Sequence, residues 1–285
     1  MSKFPARVHP ILARKANTAV IIRRGPSKSV CTILWDRTRD EFILGQWFKG
    51  RIYERRCDLS PDGDHFIYFA MNGKWASPVK GSWTAISRAP YLKALALWPW
   101  GDCWNGGGLF LSDNKFWRNT PFWRDAVSDN EDTDIVGNLS KKLTEDTTFP
   151  FEENYGGECP GVYYIRLQRD GWKLLHRESP TPHERVTVFE KTLPRGWVLE
   201  KTAHASIYHP VGSGCYYDTH RLIHAESGQT PNHPEWEWAE LDGKRLVWVT
   251  KGVLYAASIH GNGLGDAKML HDFNDMEFEA IEAPY

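Results

Sequence analysis

One short region of the sequence gathers residue types suited to metal binding or acid–base chemistry. Four histidines and one aspartate fall between positions 204 and 224, namely His204, His209, Asp218, His220 and His224. Imidazole and carboxylate groups are common zinc ligands and proton carriers. On an extended strand, however, His220 and His224 would lie about 13 Å apart, too far to share one ion. We therefore predict no metal site here and interpret these histidines as hydrogen-bonded to the backbone at strand ends.

A second candidate region is rich in tryptophan. Trp98, Trp100 and Trp104 are separated by proline, glycine and polar residues. Such rings can form an exposed platform for a sugar or a peptide, or they can fill the space between packed sheets. The glycines at 106–108 lead directly into an apolar strand, where backbones pass closely, and this favours the packed alternative. The residues proposed for binding from both regions are Trp98, Trp100, Trp104, Tyr217, Asp218 and His220.

Signals for catalysis are weak. Hydrolysis of a glycoside needs a pair of carboxylates, and several acidic residues lie near expected strand ends, namely Asp36, Asp58, Asp102, Asp218 and Glu237. No G-x-S-x-G motif is present, and the glycine run is not followed by the Lys-Ser or Lys-Thr of a phosphate-binding loop. We predict no catalytic residue, no metal and no cofactor.

The segment at about 121–160 departs from the rest of the chain. It is acidic in its first half and lacks an extended apolar run, so we interpret it as an irregular insertion. Asp129, Glu131, Asp132 and Asp134 could gather calcium, but the glycine and the distal glutamate of an EF-hand loop are absent. We predict no calcium site there.

The elements that must position these residues begin with a turn. Pro61 fixes φ, Asp62 can accept a hydrogen bond from the nearby backbone, and Gly63 accepts a positive φ. The residues at 66–69 are Phe-Ile-Tyr-Phe, a run that is apolar on both faces. This pattern predicts a strand buried between two layers.

The same pattern recurs later in the chain. Asp242-Gly243 is followed by two polar residues and an apolar strand, and Asp170-Gly171 leads into a weaker copy. Further strands are predicted at 82–87, 92–98, 253–259 and 267–270, so both complete copies suggest four-stranded meanders. No helical periodicity exceeds two turns, and Ser140 to Asp146 is the best short helix candidate.

The Ser60-Pro61-Asp62-Gly63 turn followed by an apolar strand resembles the blades of the β-propeller superfamily, in particular the WD40-like and TolB-type repeats. The resemblance implies an all-β fold in which four-stranded antiparallel blades surround a channel. Allotting the strands gives one domain over 1–285 with five blades, at 25–57, 58–100, 106–168, 172–225 and 236–284, and six blades as the alternative. The strand Ala19 to Ile22 is expected to close the ring against the last blade.

Composition narrows the possible partners. The formal net charge is −1 at pH 7, so no overall field attracts nucleic acid or anionic lipid. Arg51, Arg55 and Arg56 are interpreted as residues of solvated turns. No signal peptide or membrane-spanning segment is evident, and the five cysteines form no C-x-x-C pair, so we predict a cytoplasmic location with reduced thiols.

Propellers without catalytic motifs chiefly present rigid loop faces to other macromolecules. The sequence therefore predicts a non-catalytic, protein-binding scaffold, such as an accessory or inhibitory subunit of a complex. The alternative is a glycan-binding or glycan-hydrolysing propeller that uses the tryptophan loop and a carboxylate.

Overall fold

The computed structural model describes residues 4–25, 28–121, 135–136, 139–155, 158–233 and 235–285. These residues form an all-β fold with several antiparallel sheets of four or five strands. The chain divides into two compact units. Unit I is His9–Arg166 with Glu277–Tyr285, and unit II is Met1–Val8 with Leu167–Met276. The prediction of an all-β fold is confirmed at this level, and single-domain organisation stays a prediction.

Unit I contains three sheets. The first strand of sheet 1 begins at Arg7, just before the unit boundary at His9. Sheet 1 has the order β1-β2-β3-β4; sheet 2 has the order β12-β9-β8-β7-β5, with β6 also paired to β7; and sheet 3 has the order β10-β11-β13. Their strands are β1 (Arg7–Leu12), β2 (Thr18–Arg24), β3 (Ser29–Asp36), β4 (Glu41–Lys49), β5 (Arg51–Ile52), β6 (Asp58–Leu59), β7 (His65–Met71), β8 (Ser82–Arg88), β9 (Ala94–Pro99), β10 (Gly108–Ser112), β11 (Lys115–Arg118), β12 (Ile135–Val136) and β13 (Thr144–Glu145).

Unit II contains two sheets. Sheet 4 has the order β14-β15-β16-β17-β18, and sheet 5 has the order β19-β20-β21-β22 with β23 also paired to β21. Their strands are β14 (Lys173–Thr181), β15 (Glu184–Thr192), β16 (Trp197–Ser206), β17 (Tyr216–His224), β18 (Asn232–His233), β19 (Trp238–Asp242), β20 (Arg245–Thr250), β21 (Val253–His260), β22 (Gly263–Leu264) and β23 (Lys268–Asp272).

The predicted turn before β7 is confirmed, and its geometry follows from its residue types. Gly63 has a φ of +82°, and its N–H donates to the Ser60 carbonyl. The Asp62 carboxylate accepts hydrogen bonds from the Ser60 hydroxyl and the Asp64 N–H. A Cβ at position 63 would lie 2.3 Å from the Thr18 Oγ1. Only glycine therefore fits both the backbone conformation and the space.

Strand β7 is buried on both faces, as its sequence predicts. Phe66 and Tyr68 belong to an apolar cluster that includes Ile11 and Trp83. Ile67, on the opposite face, belongs to another cluster with Ile86, Trp98, Phe110 and Phe116. This strand is therefore the shared wall between two parts of the unit I core.

The predicted pairing of the first strand is wrong. Ala19 to Ile22 lies in β2, which pairs with β1 and β3 inside sheet 1 rather than with the last sheet.

The weaker copy at Asp170-Gly171 is followed by a strand, β14, as its sequence predicts. The element before it is a helix, because Asp170-Gly171 ends α1 (Pro160–Arg169). There the N–H groups of Asp170, Gly171 and Trp172 bond back to carbonyls of the last helical turn.

Helix α1 was missed because it lacks a polar face. Val162, Tyr163, Tyr164, Ile165, Arg166 and Leu167 are all buried. A helix that is buried on every side shows no amphipathic period, and its β-branched and aromatic residues are typical of a strand. The helix candidate at Ser140 to Asp146 instead forms a turn followed by β13, which pairs parallel with β11.

The later part of the predicted insertion is packed. Phe149 and Phe151 lie edge-on to the Trp117 ring, with centroid distances of 5.4 and 5.9 Å. Leu143 is buried in the same cluster as Phe116. The acidic residues considered for calcium, at 129–134, lie outside the described residues.

Candidate functional site

The conspicuous ionic cluster of unit II is buried inside sheet 4. Lys201 on β16 lies opposite His220 on β17, and its ammonium is 3.0 Å from the His220 Nε2. The same ammonium is 3.7 Å from an oxygen of Asp218, and only 1% of each of these two charged side chains is exposed. Alternation along β17 places Asp218 and His220 on one face of the sheet. The structure thus brings together two of the residues proposed for binding.

Hydrogen bonding fixes the tautomer of His220. Its Nδ1 lies 2.8 Å from the carbonyl oxygen of Trp236. A carbonyl can only accept a hydrogen bond, so Nδ1 carries the proton. In neutral imidazole, Nε2 then accepts a hydrogen bond from the Lys201 ammonium. The bond to Trp236 fits the interpretation of His220 as a histidine hydrogen-bonded to the backbone.

Aromatic and ionic groups cover the Lys201 side chain. The Trp172 ring lies 4.7 Å from the Lys201 ammonium and 5.1 Å from that of Lys191. The Trp172 indole N–H donates to Glu240 on sheet 5, and the same carboxylate pairs with Lys191 at 2.5 Å. These contacts join sheets 4 and 5. Lys201 and Asp218 are therefore enclosed in the interior of unit II.

Tyr217 does not belong to this cluster, because it lies on the opposite face of β17. Its ring stacks on that of His204, with a centroid distance of 4.5 Å. Burial, followed by the nearby Glu184 carboxylate, raises the pKa of the Tyr217 hydroxyl. The His224 Nδ1 accepts a hydrogen bond from the Ser227 N–H and lies within hydrogen-bond distance of the Ser227 hydroxyl. A ring nitrogen of His209 contacts the carbonyl of Pro210. Among the described residues, no group of three or more His, Cys, Asp or Glu side chains is arranged to hold a metal ion.

The three tryptophans proposed for binding, at positions 98, 100 and 104, separate into two buried rings and one exposed ring. Trp98 packs on Phe116, and Trp100 lies edge-on to Phe69. Trp104 is 60% exposed, although its carbonyl accepts a hydrogen bond from the Trp100 indole N–H. Trp98 and Trp100 therefore fill the core, as the packed alternative expected, and Trp104 is the member of this set that is open to a ligand.

Arg56 holds the tryptophan loop in place, contrary to its interpretation as a residue of a solvated turn. Its guanidinium is buried and donates to the carbonyls of Cys103 and Asn105. It also lies 4.6 Å from the Tyr53 ring centroid. A Cβ at Gly107 would lie 2.0 Å from the Arg56 carbonyl oxygen. The glycine run thus serves close packing of the loop on Arg56.

Arg55 also differs from the interpretation as a residue of a solvated turn, whereas Arg51 is exposed, as that interpretation expects, but has an aromatic partner. Arg55 is buried, and its guanidinium lies 4.4 Å from the Tyr163 ring centroid. Arg51 is exposed, but it lies 4.4 Å from the Tyr53 ring centroid. Cations placed over aromatic faces gain an attraction that a lysine- or arginine-rich turn in water lacks. The sequence does not show that these arginines face aromatic rings. Tyr163 is distant from Arg55 along the chain, and the sequence does not give the orientation of the Tyr53 ring relative to Arg51.

The carboxylates considered for hydrolysis each have a structural partner. Asp36 accepts from the Thr38 N–H, the buried Asp58 accepts from the Phe110 N–H, and Asp102 accepts from the Trp104 N–H. Asp218 pairs with Lys201, as described above. Glu237 accepts from the Lys251 N–H, and burial raises the pKa of its carboxyl.

The exposed apolar surface of unit II was not foreseen. Ile207, Tyr208 and Val211 are 61%, 74% and 90% exposed, and Phe4 is 53% exposed. Phe4 lies beside Gly212, where an added Cβ would be 3.1 Å from the phenylalanine ring. Ile207, Tyr208 and Val211 belong to the loop between β16 and β17, and Phe4 lies beside that loop at Gly212; we call these four exposed residues the apolar end of sheet 4. Its sequence signal is three large apolar residues inside a loop otherwise rich in Pro, Gly, Ser and His.

The apolar end is held in a defined shape by its backbone. The Ser206 hydroxyl accepts from the Tyr208 N–H, and the Ser213 N–H and hydroxyl both bond to the Pro210 carbonyl. The Tyr208 ring meets that of His183 edge-on at 6.2 Å. The loop between β16 and β17 is therefore fixed against the tip of the β14–β15 hairpin.

The neighbouring edge strand β14 is exposed along nearly its whole length. It carries Arg177, Glu178 and Pro180, and its pairing with β15 is interrupted by two irregularities. Charges, proline and bulges discourage edge-to-edge strand pairing. The apolar side chains of the adjacent loop are therefore a better candidate for a specific contact than the edge itself.

Comparisons with known proteins give no family for this chain. No protein-family model matches the sequence, and no curated protein matches it significantly. One solved structure that matches is titled "Crystal structure of D477G ACO/RPE65 chimera, monoclinic crystal form", with 7% identity and a TM-score of 0.22. The alignment covers 96% of this chain but 64% of that protein, and at this score the likeness supports no conclusion. No helix in the described parts of the chain is long and apolar enough to cross a bilayer.

Proposed function

We propose that this protein is a non-catalytic, protein-binding β-propeller in which sheets 1 to 5 are the blades. The apolar end of sheet 4 is the contact surface for a protein partner. The observation that carries this proposal is the exposure of Phe4, Ile207, Tyr208 and Val211 on and beside one loop. Single exposed apolar residues are ordinary, but several large apolar side chains exposed together are typical of an interaction site.

The composition of the patch supports a protein partner. Tyrosine and phenylalanine are enriched at the centres of protein interfaces, where they fill pockets of the partner. A fixed loop also binds at a lower entropic cost than a mobile one. The arrangement suits an accessory or inhibitory subunit that presents a rigid apolar contact.

A photo-crosslinking experiment tests this proposal. Tyr208 is replaced by p-benzoylphenylalanine in the full chain, and the protein is irradiated in its native cell extract. The matched control carries the same residue at Met269, which is 59% exposed but lies on β23. We expect one stoichiometric protein adduct from position 208 and none from position 269. The same set of adducts at both positions, or none at 208, would contradict the proposal.

The blade arrangement has its own test. A crystal structure should show the five sheets set radially around a common channel, with Phe66 and Tyr68 in one blade and Leu246 and Trp248 in another. Two stacked sheets without a ring would contradict the propeller and would leave only the all-β fold.

Glycan binding is the second candidate function, favoured by two exposed tryptophans of unit I. Trp75 is 53% exposed and Trp104 is 60% exposed. Trp75 packs on Gly81, and the adjacent Lys80 packs on Gly101, so both indoles belong to the same end of sheet 2. Aromatic faces of this kind stack on sugar rings. Titration of an oligosaccharide panel against Trp104→Ala and the parent protein, followed by tryptophan fluorescence, separates this function from protein binding.

A further inference from the structure

The segment Glu277–Tyr285 lies on unit I as an extended peptide. Gln46, on strand β4, is central to its attachment. The Gln46 Nε2 donates to the Ile281 carbonyl at 2.9 Å. Its Oε1 accepts from the N–H groups of Leu92 and Lys93 at 2.8 and 3.0 Å. One side chain therefore joins the edge of sheet 1, the loop before β9 and the bound segment.

Tyr285 occupies a site that fits a tyrosine side chain. Its hydroxyl accepts from the Arg88 N–H at 3.0 Å and donates to the Lys93 carbonyl at 2.6 Å. The Tyr91 ring meets it edge-on, with a centroid distance of 6.2 Å. The Arg88 guanidinium and the Lys93 ammonium lie 5.1 and 5.4 Å from its ring centroid. Burial raises the pKa of the Tyr285 hydroxyl, which keeps its proton available for donation.

The segment is nevertheless held lightly. It has no regular secondary structure, and most of its side chains are exposed. Phe278 is 73% exposed, and its ring contacts Trp47 at a centroid distance of 6.3 Å. Attachment therefore rests on Gln46, on the tyrosine site and on the Lys93 ammonium, which donates to the Tyr285 backbone oxygen, rather than on a strand ladder or an apolar core. A segment with so few buried contacts opens at low free-energy cost.

We propose that the groove between β4 and the 88–93 loop is a peptide-recognition site that the chain's own segment Glu277–Tyr285 occupies. Its intended occupant is an extended peptide of a partner protein that carries an unmodified tyrosine four residues after an aliphatic residue, as Ile281 and Tyr285 are spaced. The partner peptide displaces the chain's own segment. A tethered segment acts at an effective concentration of about millimolar. A partner peptide must therefore bind the groove tightly enough to compete with it, and only a well-matched peptide does so.

A peptide titration on full-length protein tests this proposal. The probe is a fluorescent peptide with the sequence 277–285, and binding is followed by anisotropy. Tyr285→Ala should bind the probe at least about tenfold more tightly than the parent protein, because its own segment no longer fills the tyrosine site. The matched control is Tyr208→Ala, which removes an exposed tyrosine of unit II and should behave as the parent does.

Changes to the probe keep the test independent of protein folding. Replacing the probe tyrosine by phenylalanine removes both hydrogen bonds of the hydroxyl and should weaken binding about tenfold or more. A phosphotyrosine probe should bind still more weakly, because the phosphate cannot donate to the Lys93 carbonyl and adds charge and bulk there. Adding Gln46→Ala to Tyr285→Ala should abolish binding of the unmodified probe.

Three outcomes would overturn the proposal. Equal binding by the parent protein and Tyr285→Ala would show that the segment does not compete for the site. Retained binding after Gln46→Ala would place the probe elsewhere. The parent protein could also form dimers as its concentration rises. If the probe dissociates these dimers, the groove is assigned to the segment of a second copy of the chain.

Discussion

The middle of sheet 4 and its apolar end reverse the usual distribution of charged and apolar residues. In the middle of β16 and β17, Lys201 is enclosed with Asp218 and His220. At the apolar end, Ile207 and Tyr208 are exposed. Both regions are built from the same two strands and the loop that joins them. The strand period alone therefore does not decide which side chains are buried.

The difference shows which contacts are structural. Lys201 has partners on its own sheet and an aromatic ring above it, so its charge is compensated in place. The residues of the apolar end have hydrogen-bonded backbones, but their side chains stay largely exposed. The buried charge is compensated within the protein, whereas the exposed apolar side chains are accessible to an external partner.

The largest expected effect is at the buried ion pair in the middle of sheet 4. Lys201→Ala leaves the Asp218 carboxylate buried without its counter-ion, and removal of one member of a buried pair costs about 3 to 5 kcal/mol. Urea titration measures the loss. Lys173→Ala is the matched control, because that side chain is 73% exposed and pairs with Glu190 on the surface; it should change stability by less than about 1 kcal/mol. A small loss for Lys201→Ala would place that lysine in contact with water.

The partly buried carboxylate of Glu54 in unit I extends the comparison to pH. Burial by itself raises the pKa of Glu54, but Arg24 at 3.2 Å, together with His9 and Arg51, lowers it to about 2. A folded-state pKa below the ordinary 4.5 means that the ionised group stabilises the fold. This contribution is complete above pH 4.5 and is lost as the pH falls towards about 2.

Glu54→Gln should therefore destabilise the protein at neutral pH, and the difference from the parent should shrink as the pH is lowered through that range. Denaturant titrations at a series of pH values check this. Glu41→Gln, an exposed partner of the exposed Arg39, is the control and should change stability by less than about 1 kcal/mol. A difference for Glu54→Gln that stays constant down to the lowest pH would show that the carboxylate has no favourable charge partners.

The smallest expected effect on stability is at the exposed end. Ile207→Ser combined with Val211→Ser removes apolar surface that the folded chain does not bury, so stability should stay within about 0.5 kcal/mol of the parent. The same variant should lose the crosslinked adduct at position 208. A loss of stability above about 2 kcal/mol would mean that these side chains pack within the protein, and the interface proposal would then fail.

Sequence patterns predicted the elements with local rules and missed those that depend on burial. The turn at Ser60 to Gly63 and the strand β7 follow from φ preferences and from a run of apolar residues. Helix α1 was invisible, because a helix enclosed on all sides loses the polar face on which its period depends. The pairing partners of β2 also differ from the prediction, since the sequence does not say which strands are neighbours in a sheet.

The candidate site was predicted in the same uneven way. Asp218 and His220 were found by residue type, but Lys201 was not, because its position opposite His220 depends on the β16–β17 register. Trp98 and Trp104 have similar sequence surroundings, yet one is buried and the other exposed. Arg56 was assigned to a solvated turn because the carbonyls that it binds lie 47 and 49 positions away along the chain.

Unit I is built from two separate segments of the chain, and this affects the order in which its parts form during synthesis. The chain passes between the units at three points, so residues 9–166 are translated well before Glu277–Tyr285. At synthesis rates of roughly 5 to 20 residues per second, the interval is on the order of 5 to 20 seconds. Strand β4 and the 88–93 loop exist throughout this time without the segment that later covers them. Under the proposed peptide recognition, a nascent chain presents an open groove, and a tyrosine-bearing peptide that arrives before residues 277–285 are synthesised meets no tethered competitor.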